Sequence, residues 1–278
     1  MQSTFNPIIK AAISSYCKDP VHALLIVGPR GSGKGYIVDQ IVSSMIKKYI
    51  IVEKYNLVPE QDKKNISIDQ IKLLQSSLRT KKPNHTMVII KDAETLTVES
   101  QNSLLKLLEE PPNKVHFILT TSYSNNILIT IKSRVNTWQY IPPSKDQLLD
   151  YISSYNQSQN ADSLLALSGG RMGLLTALLK DNYNHPLRQA IEEAKELLTE
   201  SSAKRVIRVD QLSKDAIKTA LLLDALLLVC VAATKKSVSK GVTYNKWLMR
   251  AKYTQEAITQ NNAKVQNKLF LTRLFLVL

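Results

Sequence analysis

Along the first half of the chain, short apolar runs alternate with stretches whose apolar residues recur at helical spacing. Runs at Ala23 to Val27, Tyr49 to Val52, Thr86 to Ile90, Val115 to Thr120 and Thr137 to Ile141 predict strands, the second of which also reads as a helix end. Between them "SIDQIKLLQSSL" places Ile68, Ile71, Leu74 and Leu78 on one helical face, with Ser67 as N-cap and Gln70 as its capping-box partner. The helical pattern of "VESQNSLLKLLEEPP" runs to Glu110 and stops at Pro111 and Pro112, which cannot continue a helix. Strands alternating with helices predict a layered α/β domain around a mostly parallel, five-stranded sheet.

At "YIPPSKDQLLDYI" the pattern changes: two prolines end the last strand, and Ser144 with Gln147 predicts the cap of a new helix. Strand signals then disappear. Residues 1–143 read as the α/β domain, 144–184 as a small helical lid containing "LSGGRMGLL", and 185–278 as an all-α domain. The most apolar stretch, Thr219 to Ala233, is short for a bilayer and carries Asp224 at its centre, so it predicts a buried bundle helix with no membrane association. The apolar run Leu221 to Val231 within it needs neighbours to cover it.

Charge adds a partner class to this picture. A formal charge of +14 favours a polyanionic partner, nucleic acid or an acidic protein face. Most of it lies late in the chain, where fourteen basic residues from Ser201 onward face four acids; a solvated bundle face is the plain alternative. Cys17 and Cys230, the only cysteines, fit a reducing, cytoplasmic setting and no disulfide framework or bound metal. The first residues lack a basic region followed by an apolar run, so no secretory signal is expected.

The chemistry concentrates after the first strand. In "GPRGSGKG" the residues Gly28, Pro29, Gly31, Ser32, Gly33, Lys34 and Gly35 have the spacing of a phosphate-cradling loop: backbone N–H groups face one concavity, the lysine reaches outer phosphates, and a helix N-terminus adds its dipole. The hydroxyl that ordinarily follows the lysine and binds Mg²⁺ is replaced by Gly35. At the end of the third strand "IIKDAE" presents Lys91 and Asp92 where a hydrolase needs an acid for metal and a second for water. Either Asp92 is the metal acid and Ala93 replaces its partner, or Lys91 replaces the metal acid and Asp92 stands in the second place. One carboxylate is missing in both registers.

In this order "HALLIVGPRGSGKG", "ISIDQIKLLQSSL", "IIKDAETLTVESQNSLLKLLEEPP", "FILTTS" and "IKSRV" resemble the AAA+ subunits of bacterial clamp loaders, and most of all their non-hydrolysing delta-prime type. The resemblance covers Val21 to Pro143 and extends weakly through "LSGGRMGLLTALL". Counting back from Asn102, it implies that Lys91 occupies the Walker B aspartate position and Asp92 the glutamate position. It also implies a sensor 1 role for Thr120 or Thr121, with simple strand completion as the alternative, and an arginine finger at Arg134 in "KSRV", where Val135 replaces the usual cysteine. Gapless comparison puts Met172 at the sensor 2 position with Arg171 one place early, so a helix-capping Gly169–Gly170 pair is the better expectation there.

The zinc module common in the family is absent, since the span Tyr49 to Asn65 holds no cysteine. The resemblance implies a stator of the DNA polymerase III clamp loader, with residues 185–278 as an oligomerisation collar. Its partners would be gamma/tau-type motor subunits and a delta subunit, and, through the complex, the sliding clamp and primed DNA. No cofactor is required on this reading, and binding of ATP or ADP without turnover is left open. An active gamma/tau-type motor using Asp92, and a DNA-binding AAA+ module outside replication, are the two rival expectations.

Overall fold

The computed structural model describes residues 7–49, 52–60, 65–79, 85–155, 160–241, 244–262 and 266–278. By contacts the chain groups into two compact units, one of residues 1–29 and 33–141, the other of residues 30–32 and 142–278.

The first unit is a three-layer α/β structure. Its elements run α1 (Pro7–Lys18), β1 (Ala23–Val27), α2 (Lys34–Lys48), β2 (Val52–Leu57), α3 (Ile68–Arg79), β3 (His85–Ile90), α4 (Val98–Glu109), β4 (Val115–Thr121), α5 (Ile129–Lys132) and β5 (Asn136–Gln139). The five strands are all parallel, in the order β2-β3-β4-β1-β5. Strands β1 and β4 are buried along their whole length, as strands covered by helices on both faces must be. Alternate side chains divide between two cores. Leu25, Val88, Phe117 and Leu119 pack with Leu74, Leu78, Leu104 and Leu108 of α3 and α4. Leu24, Ile26, Met87, Ile89 and Ile118 pack with Ile9 of α1 and Ile37, Val38, Ile41 and Met45 of α2.

Local caps follow the sequence. Ser67 N–H donates to Gln70 Oε1 at 3.0 Å, and Gln70 N–H reaches Ser67 Oγ at 3.5 Å. Ile71, Leu74 and Leu78 form the buried stripe of α3, with Ile68 half-buried at its start. Helix α4 ends at Glu109, before Pro111 and Pro112.

Two strand expectations shift. The second strand is Val52–Leu57, not Tyr49 to Val52: Tyr49 caps the C-terminus of α2, its N–H bonded to Met45 O, while residues 50 and 51 lie outside the described residues. This strand pairs with β3 at the sheet edge, and the polar Glu53, Lys54 and Asn56 in its sequence hide it from an apolar-run search. It also falls within the span where the zinc module was missed. The fifth strand is Asn136–Gln139, although Tyr140 N–H still donates to Val27 O at 2.7 Å before the two prolines.

The second unit is helical, and among its described residues there is no strand. It contains α6 (Lys145–Ser153), α7 (Ala161–Ser168), α8 (Met172–Leu179), α9 (Pro186–Thr199), α10 (Ser202–Leu212), α11 (Ala216–Ser239), α12 (Asn245–Asn262) and α13 (Asn267–Val277). The expected capping box opens α6, with Ser144 Oγ accepting from Gln147 N–H and Gln147 Oε1 accepting from Ser144 N–H. A small cluster of Leu148, Tyr151, Ile152, Met172, Leu175 and Leu179 holds α6 and α8. A larger one is built on α11, whose Leu222, Leu223, Ala225, Leu226 and Leu228 pack with α9, α10 and α13. By length and composition α11 could cross a membrane, but half of its most apolar window is buried within the fold, as a core helix would be. Asp215 caps it by accepting from the N–H groups of Ile217 and Lys218.

Candidate functional site

The C-terminal edge of a parallel sheet is where α/β folds place ligands, because strand ends and helix N-termini converge there. Here the ends of β1, β3 and β4 lie side by side: Val27 is in register with Thr121, and Ile90 with Leu119. Gly28 N–H extends the ladder by donating to Thr121 O at 3.1 Å, and the loop then turns into α2. Gly31 (φ 77°) and Gly33 (φ 97°) both adopt left-handed backbone that side chains with a Cβ rarely tolerate. These are the glycines that the phosphate-loop spacing demands.

Lys34 is only 7% exposed. Its Nζ donates to Gly28 O at 2.7 Å, to Pro29 O at 3.2 Å and to Ser122 Oγ at 3.0 Å. Ser122 was not singled out from the sequence; a serine behind two threonines gives no local sign of a partner 88 residues away. Its own N–H donates to both oxygens of Glu94, at 3.2 and 3.3 Å. Lys34, Ser122 and Glu94 thus form one polar chain from the loop to the segment after β3.

The neighbouring candidates are held by local bonds. Thr120 Oγ1 accepts from Asp92 N–H at 3.1 Å, and Thr121 Oγ1 accepts from Tyr123 N–H at 3.1 Å. Both threonines are buried, and these bonds finish the strand and fix the turns beside it. Lys91 and Asp92 are exposed, and Asp92 has left-handed backbone (φ 51°, ψ 58°). Gly35 is exposed in the first turn of α2, and a Cβ built there would meet nothing within 4 Å. Space therefore does not require glycine where a metal-binding hydroxyl is ordinarily found.

The tip of the loop, Arg30–Ser32, groups with the helical unit. Leu174 N–H donates to Gly31 O at 2.8 Å, and a Cβ at Gly31 would lie 2.9 Å from Leu187 Cδ2. Arg171 Nη1 donates to Arg30 O at 3.1 Å, while Arg30 Nε stands 3.8 Å from Asp224 Oδ2. Ser32 Oγ is buried with no hydrogen-bond partner among the described residues. Gly169 caps α7 in left-handed conformation and Gly170 follows at φ 77°, so the glycine pair serves a helix end, and Met172, at the sensor 2 position, starts α8 and is buried.

Arg134 follows α5 and stands apart from the loop. Its guanidinium pairs with Glu109 (Nη2 to Oε1, 2.7 Å), and Nη1 donates to Thr130 O at 3.0 Å and to Ser133 Oγ at 3.1 Å. His22 Nε2 lies 3.1 Å from Arg134 O. About a third of the Arg134 side chain is exposed.

Residues 9–144 match a family model described as "DNA polymerase III, delta subunit". This segment, just under half of the chain, is similar to that family. It holds every strand, the loop, the β3 end and Arg134, so the family match and the site coincide. The chain is 32% identical over 135 residues to DNA polymerase III subunit delta' of Escherichia coli, covering 46% of this chain and 40% of that protein. It is 26% identical over 206 residues to subunit delta' of Pseudomonas aeruginosa, covering 66% and 63% respectively. Replication factor C subunit 5 of mouse is 24% identical over 164 residues, covering 56% and 48%. The chain thus spans less than two thirds of the length of each of these relatives.

Proposed function

We propose that this chain is a non-hydrolysing stator of a clamp loader of the DNA polymerase III type, helping to load the sliding clamp onto primed DNA. Residues 1–143 would be its AAA+ domain, 144–184 a lid, and 185–278 a collar through which it assembles with gamma/tau-type motor subunits and a delta subunit. The observation that carries this reading is the state of the loop and strand ends. Gly35 offers no hydroxyl, Lys91 rather than an acid follows β3, and Asp92 after it is exposed. Arg134, by contrast, is kept at the surface.

In this account Arg134 reaches the ATP of the adjoining motor. A guanidinium suits the task because its charge is permanent and its fork meets phosphate oxygens as negative charge develops. The loop Gly28–Lys34 is a retained cradle. Nucleotide bound there would require Lys34 to exchange the carbonyls of Gly28 and Pro29 for phosphate oxygens. Turnover would still want for the hydroxyl and one of the two acids.

The experiment is reconstitution with an ATP-hydrolysing partner subunit. Arg134→Ala should assemble normally and slow hydrolysis at the shared site by about a hundredfold or more, the scale set by losing a transition-state donor. Unchanged turnover in a fully assembled complex would reject the finger.

A further inference from the structure

We propose that Glu109 is the positioning residue for Arg134, holding the guanidinium in place for a phosphate that arrives from a neighbouring subunit. This inference rests on the finger reading above and adds to it the group that sets the finger's aim.

A lone surface arginine samples many rotamers, and ordering it costs conformational entropy that an exposed ion pair barely recovers. Arg134 is nevertheless held at three points: Glu109 Oε1 on Nη2, and Thr130 O and Ser133 Oγ on Nη1. Two of these belong to its own short helix and its end, so they fix the arginine only relative to α5. Glu109 alone ties it to a different element. It is the last residue of α4, whose end is set by Glu110 N–H bonding to Lys106 O and by the prolines that follow. The acidic "LLEEPP" terminus thus supplies a fixed anchor opposite the "KSR" segment.

The geometry also leaves the guanidinium usable. Of its five N–H donors, three are engaged in these bonds, and the remaining two, on Nη2 and Nε, have no such partner among the described residues. The main chain is fixed as well: Arg134 N–H donates to Ile131 O at 2.9 Å, and Arg134 O lies beside the His22 imidazole, next to β1. A side chain clamped on one flank and open on the other is preorganised to receive an anion without reordering. Glu109 itself is nearly half exposed, so the pair is weak enough to yield to an arriving phosphate.

The test is a mutant cycle in the full complex with the ATP-hydrolysing subunit, using Glu109→Ala, Glu109→Gln, Arg134→Ala and the Glu109→Ala/Arg134→Ala double variant. Glu109→Ala should lower kcat about twofold to fivefold, the range spanned by an exposed ion pair, with KM for ATP unchanged. Glu109→Gln, which keeps an acceptor oxygen, should recover at least half of the loss. In the Arg134→Ala background Glu109→Ala should have no further effect. The inference is overturned if Glu109→Ala leaves kcat unchanged or raises it while Arg134→Ala slows the complex. Equal slowing by Glu109→Ala with and without Arg134 also overturns it, since the glutamate would then act through the fold. If Arg134→Ala leaves turnover of the assembled complex at the wild-type level, the finger reading fails and this inference with it, whereas slowing by Arg134→Ala without slowing by Glu109→Ala rejects this inference alone.

Discussion

Two cations of the α/β unit, Lys34 and Arg134, begin from the same expectation of meeting phosphate and end in opposite environments. Lys34 is buried and spends its ammonium on two carbonyls of its own loop and on Ser122. Arg134 lies at the surface on partners that leave one flank open. One group is part of the architecture; the other is presented outward. On the proposed reading, the hydrolytic motifs have degenerated around the inward cation and not around the outward one.

The contrast predicts unequal costs. Lys34→Ala leaves the buried carbonyl of Gly28 and the partly buried acceptors at Pro29 and Ser122 without this donor and should destabilise the fold by about 1–3 kcal/mol. Arg134→Ala removes an exposed pair and should cost less than about 1 kcal/mol. Denaturant unfolding of the two variants measures both, and equal losses would erase the distinction.

A second contrast is read by titration. His116 at the start of β4 and His185 before α9 have pKa values lowered chiefly by burial, and so does His85, further lowered by the charges of His116 and nearby lysines. A depressed folded-state pKa means that the unfolded chain binds the proton first. The stability these groups contribute is therefore fully present above their ordinary pKa of about 6.5, and it is lost as pH falls below that value toward the folded pKa. Unfolding curves should shift to lower denaturant through this window. His116→Gln, which keeps a polar group near Val21 O, should flatten the dependence.

The smallest expected effect is at Gly35. Because a Cβ there meets nothing within 4 Å, Gly35→Ala should stabilise α2 by about 0.5 kcal/mol through helix propensity. Gly33→Ala, at φ 97°, should destabilise instead. This pair of melting temperatures separates a glycine that the backbone requires from one that it does not.

Features encoded locally were legible in the sequence. In each of the capping boxes Ser67/Gln70 and Ser144/Gln147 the partners lie three residues apart, and the buried strands Ala23–Val27 and Val115–Thr121 are wholly or mostly apolar runs. The edge strand Val52–Leu57 was not: it owes its conformation to pairing with β3, and its Glu53, Lys54 and Asn56 read as loop. At the site, residue types and spacing picked out the loop glycines and Lys34. The Ser122–Glu94 link and the Glu109 anchor depend on residues brought together by the sheet and by helix ends, and no local pattern marks them.

The most direct test is Mg²⁺-dependent ATP hydrolysis by the purified chain, wild type beside Lys34→Ala. The account predicts negligible turnover that is the same in both proteins. Turnover in the wild type that Lys34→Ala abolishes would contradict it and make the chain a motor.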